Sequence, residues 1–165
     1  MSATVAAKPT VKPNAPYAVR VLRFPVVREP DGAPRPMLGD PEAVAALAKQ
    51  LVPDDDREHF WVLLLDSQNR LKAAHEVSVG SLNVSIVHPR EVFRAAILGG
   101  AANLILVHNH PSGDPTPSKE DVQLTRQLVE GANILGLRIH DHVVISHAAL
   151  PGKPGHASLA QLGLL

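Results

Sequence analysis

Two short apolar runs constrain the fold of this chain more than any other feature: HFWVLLL at 59–65, and the stretch from Ala101 to Val107, which is apolar except for Asn103. Both have the length of strands rather than of helices. Turn formers bound them, with Asp66-Ser67-Gln68-Asn69 after the first and Gly99-Gly100 before the second. A run such as HFWVLLL is of the type buried on both faces, so the sheet that contains it needs cover above and below. The segment LKAAHEVSV, across the 66–69 turn, makes a hairpin with it. Leu82, Val84 and Ile86 alternate with Asn83, Ser85 and Val87 as a further half-buried strand, and LRIHDHVVIS is another.

Helical segments lie between these strands. Asp40-Pro41-Glu42 supplies an N-cap, a proline at the first helical position and an acid in the first turn, which predicts a helix to about Leu51. PREVFRAAIL predicts a second helix over 89–98, and a long one begins at Ser118, runs to about Ile134 and is closed by Gly136. Ser158 to Leu162 has the pattern of a short terminal helix. The expectation is a layered α/β fold with a mixed β-sheet sandwiched by helices.

Eight of the fifteen prolines fall before residue 42, and each ring removes a backbone donor, so this region resists regular structure. Residues 1–39 are therefore expected to be a proline-rich tail, with an edge strand near 17–27 (YAVRVLRFPVV) stopped by Pro25. Residues 40–165 are expected to form one domain, and a core of ordinary size fits within that length. The N-terminus has no signal-peptide layout, and no segment reaches the roughly 18 apolar residues that span a bilayer, so a cytoplasmic location is expected. Sixteen basic residues balance sixteen acidic ones, and charge gives no support to nucleic-acid binding. The chain has no cysteine, which leaves His, Asp and Glu as its strong metal ligands.

Nine histidines are available for that role. His108 and His110 stand two residues apart at the end of an apolar strand, and the period of two sends both imidazoles to one face. Asp121 lies in the first turn of the next helix, and the loop PSGDPTP between them is rich enough in turn formers to fold that helix end back toward the histidines. Two neutral nitrogens and a carboxylate leave the fourth tetrahedral position for water, the layout of a catalytic zinc rather than a structural one. Ser118 could donate to an oxyanion beside the metal. Ser118 and Asp121 also fit a plain capping box, and both readings can hold together. Asn109, Ser112 and Gly113 read as loop-shaping residues. His140 and His142 make a second i, i+2 pair, but no third carboxylate follows at helical spacing, so Asp141 or His142 reads as support for a ligand.

His108-x-His110 followed by seven residues, Ser118, two residues and Asp121 is the JAMM motif of the JAB/MPN metalloproteases. The phrases VSVGSLNVSIVHPREVF, HNHPSGDPTPSKED and LRIHDHVVIS resemble the RadC branch of that superfamily, over roughly residues 55 to 165. The resemblance implies the MPN/JAB fold, with a layout related to cytidine deaminases, and Zn2+ held by His108, His110 and Asp121. It also implies an upstream glutamate acting as base. Glu58 takes that role by position, ahead of the strand HFWVLLL, and Glu76 is the rival. His140 departs from the pattern by standing where an apolar strand residue is expected. The first forty residues show no helix-hairpin-helix element, so the DNA-repair association of the family name transfers poorly.

The function implied is zinc-dependent hydrolysis of a peptide or isopeptide bond in a peptide or protein substrate. The alternative from another class is a metal-binding, non-hydrolytic interaction module in DNA maintenance or mobile-element biology. A zinc nucleobase deaminase would need cysteine ligands, and the zincin signature H-E-x-x-H is absent. The substrate and oligomeric state are not encoded in any motif.

Overall fold

The computed structural model describes residues 34–80 and 87–165. Residues 1–33 of the expected tail over 1–39, with its edge strand, and the strand through Leu82, Val84 and Ile86 lie outside the described residues. In chain order the elements are α1 (Pro41–Leu51), β1 (His59–Leu65), β2 (Leu71–Val79), α2 (Pro89–Leu98), β3 (Asn103–Asn109), α3 (Lys119–Ile134), β4 (Arg138–Ile145) and β5 (His156–Ser158). The sheet runs in the order β2-β1-β3-β4-β5. All neighbours are antiparallel except β3 and β4, which are parallel. Parallel neighbours need a crossover, and α3 supplies it.

The pleat divides the core in two. Phe60, Val62, Leu64, Leu104 and Leu106 pack with Val92, Phe93, Leu128 and Ala132 of α2 and α3 on one face. Leu63, Leu65, Ile105, Val107, Val143 and Ile145 pack with Val44, Ala45 and Ala48 of α1 on the other. The two central strands are thus buried from both sides, as HFWVLLL predicts, and the fold is the expected mixed sheet between helices. No helix among the described residues is long and apolar enough to cross a membrane.

Helix starts follow from side-chain chemistry. The Asp40 carboxylate accepts from Ala43 N at 2.8 Å, with Pro41 following at the first helical position. Ser118 and Asp121 form a reciprocal capping box at the start of α3, which satisfies two of the backbone donors that a helix N-terminus leaves orphaned. Leu38 is buried against α1, and Met37 bridges Arg70.

Two local differences from the sequence expectation have physical causes. Ser158 to Leu162 is not a helix: Ser158 ends β5, and residues 159–163 are turns. Ser158 is pulled into the sheet edge by pairing with Val143 and by its hydroxyl, which donates to Asp141 Oδ2 at 2.7 Å. His140 is the extra residue of a β-bulge, because Leu104 pairs with Ile139 while Ile105 pairs with Asp141. A bulge re-aims the side chains beyond it. Here it turns Asp141 toward the α1 face and brings His142 to the face that carries Leu106 and His108.

Candidate metal centre

The open end of β3 meets the start of α3 at one point. His108 ends the apolar strand facing Phe60, its partner on β1, and its ring stacks on the Phe60 ring at 6.1 Å between centroids. His110 lies just beyond the strand, held there by its own N–H donating to Ile145 O at 2.9 Å. The period of two operates as expected: the two imidazoles share a face, and their Nε2 atoms are 3.0 Å apart. Asp121 completes the group, with Oδ1 3.2 Å from His108 Nε2 and Oδ2 3.5 Å from His110 Nε2. Among the described residues these three form the one group of His, Asp or Glu side chains with donor atoms close enough to share a metal, all within 4.8 Å of one another.

The loop between them is fixed by its backbone. Gly113 adopts φ 87°, a left-handed conformation that glycine takes without steric cost, and its carbonyl accepts from Leu150 N at 3.0 Å. Asp114 caps the turn by accepting from Thr116 N at 3.0 Å and Thr116 Oγ1 at 2.6 Å, and it pairs with Lys153 at 2.9 Å. The Thr116 hydroxyl and then the Lys153 ammonium pull the Asp114 carboxyl down to about 2. The Asp114 carbonyl accepts from His110 Nδ1 at 2.8 Å. A carbonyl only accepts, so Nδ1 carries a proton, and in the neutral ring the lone pair of Nε2 faces the cluster.

Ser118 Oγ donates to Asp121 Oδ2 at 2.7 Å and accepts from Asp121 N at 3.1 Å. The capping box and the cluster therefore coexist on the two carboxylate oxygens. Burial opposes the Asp121 charge, but hydrogen bonds from His108 and His110 outweigh it and hold the carboxyl far below the usual carboxylate range. Burial likewise opposes a charged His110, and the Asp121 carboxylate overrides it and raises the imidazole pKa, with Glu58 adding to the same effect.

Behind His108 stands His142, fully buried. Its Nε2 is 2.8 Å from His108 Nδ1, and its Nδ1 is 2.6 Å from Thr125 Oγ1. Burial pushes the His142 pKa well down. Asp141 takes no part there: its carboxylate accepts from His142 N, Ser158 Oγ and Ala160 N.

Glu58 precedes β1 on an exposed turn, near enough to His110 to act on its charge. The backbone on either side of it is gripped by one buried side chain. Asn109 Oδ1 accepts from His59 N at 2.7 Å, and Asn109 Nδ2 donates to Arg57 O at 2.9 Å. Glu76 is elsewhere. It pairs in register with Trp61, so it shares the face opposite Phe60 and His108, and it binds His59 Nδ1 at 2.7 Å. Asp55 holds the other ring nitrogen of His59 at 3.0 Å. Glu76 is thus an ion-pair partner of His59. Thr125 and the bracket of Asn109 around Glu58 escaped sequence reasoning. The one available signal was Thr125 itself, a polar residue in line with Leu128 and Ala132 on the buried face of α3.

This donor set fits a divalent metal ion. Two imidazoles and a carboxylate converge on one point, and the His110 lone pair is directed there by its second hydrogen bond, the outer arrangement that orients metal-binding histidines.

Comparison with known proteins agrees. The family model described as a RadC-like JAB domain matches residues 38–164. A UPF0758 protein of Desulforamulus reducens is 50% identical over 125 residues, which cover 76% of this chain and 52% of that protein. Another from Caldanaerobacter subterraneus subsp. tengcongensis is 55% identical over 105 residues, 64% of this chain and 45% of its own length. A third, from Methanosarcina acetivorans, is 48% identical over 112 residues, 68% of this chain and 49% of that protein. The chain spans about half the length of the curated relatives it matches. With the mixed sheet, the His-His-Asp cluster and this match in hand, the chain belongs to the RadC-like JAB domain family.

Proposed function

We propose that this chain is a zinc-dependent hydrolase of the JAMM type, a peptidase or isopeptidase acting on a peptide or protein substrate in the cytoplasm. The observation that carries the reading is the convergence of His108 Nε2, His110 Nε2 and the Asp121 carboxylate. These three residues would hold the ion. Bound zinc supplies Lewis acidity, which brings the pKa of water toward ~7.

The remaining work falls to the protein. Glu58, on the histidine side and held by Asn109, takes a proton from the attacking water and passes it to the leaving nitrogen. Ser118, whose hydroxyl now donates to Asp121, turns that proton toward the oxyanion forming on the attacked carbonyl. Phe60 and the packed β3 floor keep bulk water from the inner side of His108.

The test has two readings. Elemental analysis of wild type and His108→Ala, each purified and then offered Zn2+, gives one equivalent for wild type and none for the variant. Equal zinc in both overturns the ligand assignment. Zinc-loaded protein is then incubated with a library of peptides and lysine-linked isopeptides, and new amino termini are read by mass spectrometry. Glu58→Gln keeps the zinc and loses cleavage. The non-hydrolytic module shares the same ligands but predicts no cleavage by wild type and no phenotype for Glu58→Gln.

A further inference from the structure

We propose that Thr125 and His142 are positioning residues that fix the tautomer of His108, so that in the neutral ring its Nε2 lone pair faces the metal point. The inference rests on reading His108 as a metal ligand and deepens it. Four residues form a closed circuit. Thr125 Oγ1 lies 2.6 Å from Asp121 O, one turn back in α3; two oxygens at that distance need a proton between them, and a carbonyl has none to give. The hydroxyl proton is therefore committed to Asp121 O.

From there each donor is forced. Thr125 Oγ1 can only accept from His142 Nδ1, 2.6 Å away. His142 is fully buried against the Phe60 ring, 5.4 Å between centroids, where an uncompensated charge is costly, so it is neutral and its Nε2 carries a lone pair. That lone pair accepts from His108 Nδ1 at 2.8 Å. With the proton on Nδ1, His108 presents Nε2 to His110 and to Asp121 Oδ1. The circuit begins at the backbone of Asp121 and returns to its carboxylate. His110 reaches the same tautomer by a separate route, the Asp114 carbonyl. The opposite setting, with the only proton of His108 on Nε2, would point an N–H at the cation site and block it.

The experiment uses long-range 1H–15N correlation spectra of metal-free protein together with zinc affinity measured by competition with a chelating dye. The expected spectrum shows His108 protonated at Nδ1 and His142 at Nδ1 only. Thr125→Val, which keeps shape and removes the hydroxyl, weakens zinc binding about 10- to 100-fold, the usual cost of losing an outer hydrogen-bond partner. Thr125→Ser restores the affinity and the His142 signal, which a packing role for the Thr125 methyl would not do. The proposal is overturned by a wild-type spectrum with the lone His108 proton on Nε2, by a Thr125→Val protein that binds zinc like wild type, or by a Thr125→Ser protein as weak as the valine variant. A Thr125→Val chain that fails to fold leaves the wild-type spectrum and the serine variant to decide. Wild type with the expected spectrum but no zinc binding supports the tautomer and sinks the metal reading instead.

Discussion

Asn109→Ala offers the sharpest check on how Glu58 is held. The Asn109 side chain is 1% exposed and makes two hydrogen bonds, to His59 N at 2.7 Å and to Arg57 O at 2.9 Å. Arg57 lies on an exposed turn, so its carbonyl recovers water and loses about 0.5 kcal/mol. The His59 N–H is buried at the start of β1 and recovers nothing, which costs about 1–3 kcal/mol. The sum is roughly 1.5–3.5 kcal/mol, a fall in Tm on the order of 10 °C for a domain of this size. Asn109→Asp keeps the acceptor for His59 but sets a carboxylate oxygen against the Arg57 carbonyl, and it should be no more stable than the alanine variant. Urea unfolding of metal-free protein measures the difference, with an unchanged m-value showing that the unfolded state is not involved. Amide exchange at His59 should accelerate more than exchange elsewhere in β1. Because neither substitution touches the metal point, both proteins should still bind zinc while losing any cleavage that depends on Glu58. A destabilisation below about 0.5 kcal/mol, within the range of an ordinary surface change, would refute the bracket as a structural device.

Two further outcomes come from the same geometry. Burial opposes a charge on His59, but its hydrogen bonds to Glu76 and Asp55 prevail and raise its pKa; a raised folded pKa stabilises fully below the unfolded value near ~6.5 and ceases to do so as pH rises through the folded value. The stability advantage of wild type over His59→Gln in urea should therefore shrink as pH rises above about 6.5, and an advantage that grows with pH would contradict the pairing. Gly113→Ala should disorder the His110 loop, because an L-residue at φ 87° is strained and its Cβ would lie 2.6 Å from the Ala148 carbonyl. A loss of roughly 2 kcal/mol in stability together with weaker zinc binding is expected, and wild-type zinc affinity in this variant would show that the loop does not position His110.

What the sequence made legible was what local periodicity controls. β1 and β2 match HFWVLLL and LKAAHEVSV, and α1 and α3 begin at their caps because the capping chemistry lies within four residues of each start. The same holds for His108 and His110, whose shared face needs only the pleat. Contacts across the sheet were out of reach: Thr125 meets His142 seventeen residues away, and Asn109 reaches His59 and Arg57 across fifty or more. The bulge at His140 could not be anticipated either, since an extra residue in β4 shows only against the register of β3. Yet it decides which of Asp141 and His142 stands behind His108, the candidate ligand. The choice between Glu58 and Glu76 turns on the same logic of faces. Glu76 pairs with Trp61 and looks away from His108, whereas Glu58 stands two residues before Phe60, at the position that the period of two assigns to the His108 side, and its charge acts on His110. Asn109, between the two histidines, must point to the opposite side by the period of two. From there it can grip the chain on both sides of Glu58 without entering the metal point. One tripeptide, His108-Asn109-His110, thus sets two candidate ligands on one face and an anchor for the proposed base on the other, which a helix, with neighbours turned 100° apart, could not do.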